Sequence, residues 1–343
     1  MQYHIIRQLR IAPATASGEP FVPIIVKPVD AATIEEARKR LAGLSRITPL
    51  IPFDAGPENK TVTLKLECLQ PIGCFKIRPI GNAVLAKERS SLDRGIYTTS
   101  SGNSALAVAW MARRLGIGAT AVVPENAPPM KLEGLRRLGA RIDMRSMAEW
   151  WRAIETGTLE GHAGSYIDAV RDPAAIAGDA TIGVEILLQC PDVEAILVPF
   201  GGGGLACGIG CAIRALSPHV RIIACELERA APLTAARAAG RPVAIEYDAG
   251  FVSGVGFGRV LPEMWPLTEE LIDEVITVPL GDVARAIKLL AAGTHVVAEG
   301  AGALPVAAAL SGRYAERNVC AVVSGGNLDA ALLAAALEDR LPV

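Results

Sequence analysis

Pro199-Phe200-Gly201-Gly202-Gly203-Gly204-Leu205 joins two contrasting stretches of the chain. Before it, Ala195 to Pro199 is a short, wholly apolar run of the kind found in strands buried on both faces. After it, Leu205 to Ala215 carries a helical pattern. Four consecutive glycines exceed what a tight turn needs. Lacking side chains, they leave backbone N–H groups free to approach an anion, and the helix that follows adds partial positive charge. A phosphate is the ligand this implies. Gly201, Gly203 and Ala206 also fit G-x-G-x-x-A, with Glu226 near the end of the next apolar run (Arg221 to Cys225). That is the arrangement of a dinucleotide site with a ribose-binding acid, so the segment alone leaves open which phosphate it holds.

Similar alternations extend in both directions. Upstream, Gly95 to Thr99, Ala119 to Val123 and Arg141 to Met144 read as strands. Asn103 to Leu115, Pro129 to Leu138 and Met147 to Thr156 read as the helices between and after them. Thr181 to Gln189 reads as a helix and Val319 to Val323 as a last strand. Near the start, Thr33 to Leu44 reads as a helix with an acidic start and a basic end, matching its dipole. Strand and helix in turn predict an α/β fold with largely parallel sheets. A length of 343 residues suits two lobes. The expected division is a large lobe of residues 1–90 with 165–343 and a small lobe of 91–164.

Composition excludes several function classes. Hydrophobic residues make up 51%, which is ample for a core. The formal net charge is −2 and no basic stretch interleaves with aromatics, which argues against nucleic-acid binding. No apolar stretch reaches the ~20 residues of a membrane span. Met1 to Arg10 lacks the compact apolar core of a signal peptide. The seven cysteines lack paired spacing, as in reduced thiols; Cys207 and Cys211 share a helix face, but no companion ligands make a metal set. A small-molecule substrate, no metal and a cytoplasmic setting are the expectations.

Three further segments sit at strand ends or strand–helix junctions, where ligands gather in parallel sheets. In Pro71-Ile72-Gly73-Cys74-Phe75-Lys76-Ile77-Arg78, Lys76 falls just inside an expected helix, Phe75 to Lys87. A helix start repels a charged lysine but suits one that must be neutral and nucleophilic; a solvated surface lysine fits the words as well. Thr98-Thr99-Ser100-Ser101-Gly102-Asn103-Ser104 offers hydroxyls and N–H groups for a carboxylate, or an ordinary helix cap. Ser324-Gly325-Gly326-Asn327 is a strand-end hydroxyl before flexible backbone, or a plain turn.

Taken together, in this order, the four segments resemble the fold-type II pyridoxal-phosphate enzymes, in the branch of threonine/serine ammonia-lyases (dehydratases) and serine racemases. The likeness runs from about Arg46 to Asp329 and displaces the dinucleotide reading, which explains only the glycine loop. It implies the two-lobed, tryptophan synthase beta-like fold with pyridoxal 5'-phosphate between the lobes. Lys76 would carry the cofactor as a Schiff base and move protons at Cα. Phe75 would pack beside the ring, Asn103 would bond its phenolic oxygen, and Glu299 would lie near it. Gly201, Gly202, Gly203 and Gly204 would hold the phosphate, and Ser324 would face the pyridine nitrogen. Ser100, Ser101, Gly102, Asn103 and Ser104 would grip the substrate carboxylate, and Ser101 would be a second acid/base in a racemase.

The activity implied is elimination of water from a β-hydroxy amino acid, giving a 2-oxo acid and ammonia. Racemisation, β-replacement and a non-catalytic amino-acid or cofactor sensor are the alternatives. A homodimer is the family expectation. Several positions depart from the family's words. Cys74 replaces Ser; Pro79 and Ile80 replace Gly-Ala; Ser104 replaces His; Ser253 replaces Asp. The substrate is thereby open among threonine, serine, hydroxyaspartate and phenylserine. At the racemase metal site, Glu226 and Ala230 match two ligand positions but Pro232 takes the third, which argues against a divalent ion.

Overall fold

A computed structural model describes residues 25–125, 127, 129–159 and 161–342; the stretch 1–10 considered above lies outside them. Among these described residues, ten strands form two sheets. The larger runs in the order β1-β2-β10-β7-β8-β9, with β1 (Leu50–Pro52), β2 (Thr61–Lys65), β7 (Ala195–Pro199), β8 (Arg221–Leu227), β9 (Glu274–Val278) and β10 (Asn318–Val322). All its pairs are parallel except β1 with β2. The smaller sheet, β5-β4-β3-β6, is wholly parallel and uses β3 (Ile96–Thr98), β4 (Ala119–Pro124), β5 (Arg141–Arg145) and β6 (Ser165–Tyr166).

The helices that serve the smaller sheet are α3 (Asn103–Leu115), α4 (Pro129–Arg137) and α5 (Met147–Thr156). Around the larger one lie α1 (Ala31–Leu41), α2 (Ile77–Leu85), α6 (Pro173–Gln189), α7 (Gly204–Leu216), α8 (Pro232–Ala239), α9 (Trp265–Leu271), α10 (Leu280–Leu289), α11 (Gly300–Ser311) and α12 (Ala330–Leu337). Strand β7 is wholly buried, which explains its unbroken apolar run.

Three expected boundaries shift for local reasons. Helix α1 begins earlier because Asp30 caps it, accepting from Thr33 N, and the negative charge at its start is this cap. Basic Arg38, Lys39 and Arg40 occupy its last turn. Helix α6 gains two turns at its start, where Asp172 caps Ala174 N and Pro173 takes the first helical position, which needs no N–H partner. Helix α2 is shorter than expected and begins after Lys76, which is its N-cap residue. Pro79 is tolerated because it falls within the first turn, where N–H groups have no intrahelical acceptor.

Between β7 and β10 the chain reverses its direction of travel across the sheet. Such a switch point opens a crevice at the carboxyl ends of the strands. The glycine loop follows β7 and Ser324 follows β10, so both stand at that crevice.

Candidate active site

A cavity of about 370 Å³ lies at these strand ends. Its wall contains Phe75, Lys76, the run Ser100 to Ser104, Gly201 to Gly204, Glu299 and Ser324. Every residue singled out in the four sequence segments for a catalytic, cofactor or substrate role, and Glu299 with them, thus faces one space.

The turn bearing Lys76 is stitched to the end of β10. Phe75 N donates to Ser324 O at 2.9 Å, Gly326 N donates to Gly73 O at 2.8 Å, and Cys74 bridges Gly325. Gly73 has φ +73°, and a Cβ there would meet Asn327 Oδ1 at 2.5 Å, so the turn requires glycine. The Lys76 ammonium sits 4.6 Å from the centre of the Phe75 ring. It has no hydrogen-bond or ion-pair partner among the described residues. Burial pushes its proton affinity below that of an ordinary lysine, while the nearby Asp179 carboxyl opposes the shift. The result is an amine biased towards its neutral, nucleophilic form.

Asp179 itself is 0% exposed, and neither of its oxygens finds a hydrogen-bond partner among the described residues. Burial pushes this carboxyl up to about 8, against the pull of Lys76. The sequence offered no signal for it, because Asp179 falls in none of the motifs and just before the expected helix, Thr181 to Gln189.

The loop after β3 is held by hydroxyls. Thr98 Oγ1 donates to Ile167 O at 3.1 Å, Thr99 Oγ1 and the Tyr166 hydroxyl share a bond of 2.8 Å, and Gly102 N donates to Ser100 Oγ at 3.2 Å. Asn103 opens α3 and sits between two side chains. Its Nδ2 donates to Glu299 Oε1 at 2.6 Å, and its Oδ1 accepts from Asn327 Nδ2 at 2.8 Å. Asn327 closes the Ser-Gly-Gly-Asn motif, and this contact shows what it does there: it fixes which end of the Asn103 amide faces which neighbour. Ser324 is 2% exposed and lines the cavity.

The glycine loop has little space for side chains. A Cβ on Gly201 would lie 2.9 Å from Gly254 O, one on Gly202 3.1 Å from Val170, and one on Gly204 3.0 Å from Ala169 O. Gly203 adopts φ +89°, a conformation strained for any residue with a side chain. Helix α7 starts here without a side-chain cap. Among the described residues, the N–H groups of Gly201 to Gly204 donate to nothing, so four donors and a helix N-terminus meet the cavity together.

Glu226, which matches a ribose-binding acid in the dinucleotide pattern and one ligand position of the racemase metal site, serves a helix cap. Its carboxylate accepts from Leu233 N (2.7 Å), Thr234 N (2.9 Å) and Thr234 Oγ1 (2.7 Å), capping α8.

Known proteins resemble this chain in sequence and fold. The model of the family described as pyridoxal-phosphate dependent enzyme matches residues 41–325. The chain belongs to the pyridoxal-phosphate dependent enzymes. L-threonine ammonia-lyase of Geobacter sulfurreducens is 36% identical over 315 residues, 90% of this chain and 78% of its own length. Serine racemase of Oryza sativa subsp. indica is 30% identical over 322 residues, 91% and 94% respectively. Among solved structures, maize serine racemase superposes with a TM-score of 0.84 at 30% identity, covering 91% of this chain and 98% of that one.

This pyridoxal-phosphate enzyme has a donor set that suits its cofactor. The four glycine N–H groups and the start of α7 match a phosphate dianion, and the cradle around them leaves no room for a side chain to replace it. The same cavity holds an amine biased towards neutrality and a neutral hydroxyl, Lys76 and Ser324, which match an aldehyde carbon and a ring nitrogen.

Proposed function

We propose that the enzyme is an ammonia-lyase that removes water from a β-hydroxy amino acid, yielding a 2-oxo acid and ammonia. The observation that carries the reading is the meeting, in one cavity, of a half-buried lysine that has no hydrogen-bond or ion-pair partner among the described residues with a serine just past the end of β10. Its similarity to the threonine ammonia-lyase named above supports the same reaction.

The cofactor supplies an electron sink for the pair left at Cα when its proton departs. The chain's residues do the rest. Gly201, Gly202, Gly203 and Gly204 would hold the phosphate. Lys76 would hold the cofactor at its aldehyde carbon, then, once displaced by the substrate amine, take the Cα proton. The run from Ser100 to Ser104 would bind the substrate carboxylate through hydroxyl and N–H donors and so present Cα–H to Lys76. Phe75 would flank the ring, and Asn103 with Glu299 would lie at its oxygen-bearing edge. Ser324, a neutral hydroxyl, would leave the ring nitrogen without the proton a carboxylate would maintain there. That moderates the sink and favours loss of a β-hydroxyl over amino transfer. Net, the Cα–H and Cβ–O bonds break, and water from solvent replaces nitrogen at the former Cα.

Racemisation is the second reading, and Ser101 is what favours it. Its hydroxyl lines the cavity with no partner among the described residues, as a proton donor for the other face of Cα would. We further propose a homodimer, a cytoplasmic setting and a division into lobes of 1–90 with 165–343 and of 91–164. All seven cysteines are buried free thiols, which accords with a reducing compartment, and no described helix is long and apolar enough to cross a membrane.

Visible absorbance of the purified protein, beside Lys76→Ala, tests the assignment. A yellow band lost in the variant, with ammonia and a 2-oxo acid released from a β-hydroxy amino acid, is the expected result. A band that responds to substrate while no ammonia appears would transfer the assignment to racemisation.

A further inference from the structure

The groups assigned to cofactor and carboxylate account for part of the cavity wall; much of the remainder is aromatic. Only fifteen of 343 residues are Phe, Trp or Tyr, yet six of them line this one cavity. Apart from Phe75, they come from three separate places: Trp150 and Trp151 of α5, Tyr166 of β6, and Tyr247 and Phe257 between α8 and α9. Trp150, Trp151 and Ile154 fall within about 100° of one another around the helix, so one face of α5 is turned to the cavity. Trp150 is pinned by its Nε1–H, which donates to Val122 O at 3.2 Å, and the two indoles meet edge to face at 5.2 Å.

Charge at this wall is already paired. Arg171 Nε donates to Asp168 Oδ2 at 2.6 Å, its other nitrogens donate to Ile154 O (2.6 Å) and Glu155 O (2.9 Å), and Glu263 stands at 3.6 Å. The guanidinium therefore ties the aromatic helix α5 to the segment that follows β6 and has no face left for a substrate carboxylate. Apart from Lys76, it is the cavity's cationic residue among those described. With Asp168 and Arg171 committed to each other, the wall offers no unpaired cation to a second carboxylate on the substrate.

We propose that the side chain accepted beyond Cβ is an aryl group, so that the substrate class is β-aryl-β-hydroxy amino acids such as 3-phenylserine. Threonine's methyl group leaves the aromatic wall without a partner, and hydroxyaspartate brings a carboxylate to a wall whose guanidinium is already paired. The proposal rests on the ammonia-lyase reading above. The reaction needs no added oxidant: the Cα–H and Cβ–O bonds break, water leaves, and solvent water supplies the oxygen that replaces ammonia, giving a 3-aryl-2-oxo acid.

Binding and turnover test it separately. The holoenzyme is titrated with L-phenylalanine and L-alanine, which have no β-hydroxyl to lose, following the cofactor's visible band. Ammonia release is then measured from 3-phenylserine, threonine and 3-hydroxyaspartate. Phenylalanine should bind at least about tenfold more tightly than alanine, and kcat/KM should favour 3-phenylserine by a similar factor, as expected of aromatic contact over several ring carbons. Trp151→Ala, and the milder Trp151→Leu, should each lower that preference while keeping the yellow band. Equal affinity for the two ligands, or threonine as the best substrate, overturns the aryl proposal and leaves the lyase reading intact. Selective phenylalanine binding with no ammonia from any β-hydroxy substrate upholds the aryl pocket and sinks the lyase reading.

Discussion

Lys65 is buried and Lys76, eleven positions on, is half-buried at the cavity wall, and their surroundings could hardly differ more. Lys65, at the end of β2, is 0% exposed and fully supplied with acceptors: Thr48 O at 2.8 Å, Glu185 Oε2 at 2.6 Å and Gln189 Oε1 at 2.8 Å. Glu185 also receives two bonds from Arg78, which in turn grips Glu67 through two more. Lys76 has a phenyl ring beside it and an orphaned acid in its vicinity. A buried charge whose every donor is used holds structure together; one left without acceptors is free to react. The contrast is also economical in space, since Arg78 of the structural network lies two residues after Lys76 and anchors the helix that Lys76 begins.

The largest expected effect comes from Lys76→Ala. It should abolish the visible band and lower kcat by ~10³-fold or more, while denaturant unfolding changes little, because the lysine holds no structural partner. Lys65→Met should do the reverse. Removing one partner of a buried ion network costs roughly 3–5 kcal/mol, so the urea midpoint should fall sharply. The fraction that remains folded should keep the cofactor band of the parent. A normal midpoint in Lys65→Met, or a lost band, would break the division between structural and reactive lysine.

Much of the site was legible because each of its parts lies in a short contiguous segment at a strand end. Glycine after an apolar run, hydroxyls before a helix and a lysine after a Pro/Gly turn are local signals that need no knowledge of packing. What escaped notice was non-local. Trp150, Tyr166, Tyr247 and Phe257 share no spacing, and only folding brings them to one wall. Helix α11 was not delimited because Gly300 to Ala309 is buried on every side and interrupted by Pro305, which erases the 3.6-residue period. Strand β1 is three residues long with none of them buried, β2 mixes exposed and buried residues, and neither carries a clear alternation. Asp179 is the sharpest case, since its meaning lies entirely in having no partner.

That orphaned carboxyl sharpens the comparison through pH. Asp179 is pushed up to about 8 from an ordinary 3.8, mainly by burial. Between those values the folded chain keeps a proton that the unfolded chain has released. Its contribution to stability therefore falls as pH rises from about 4 to about 8 and levels off above. Asp179→Asn removes this slope. Denaturation of the cofactor-free protein at several pH values should show the variant gaining on the parent by several kcal/mol between acid and mildly alkaline conditions. A constant difference across that range would mean that the carboxyl finds a partner in solution and that the neighbourhood of Lys76 is as fully paired as that of Lys65.

The smallest effect concerns orientation. Asn103 could act on the cofactor through its own hydrogen bond, or its value could lie in how Asn327 and Glu299 hold it. Asn327→Ala leaves Asn103 in place but removes the donor to its Oδ1, along with a 3.0 Å bond from Asn327 to Ile72 O. One neutral hydrogen bond is worth about 0.5–1.5 kcal/mol, so cofactor affinity should fall by only ~2–10-fold. Asn103→Ala removes the amide altogether and should cost more. Both are read by fluorescence titration of the cofactor-free protein with pyridoxal phosphate. If the two variants lose the same affinity, orientation is the whole of the Asn103 contribution, and Asn327 belongs to the site as much as the residue it positions. If Asn327→Ala binds as the parent does, the 2.6 Å bond to Glu299 suffices to orient the amide. The Asn103 amide then depends on one acid–amide contact, against the three acceptors that hold Lys65.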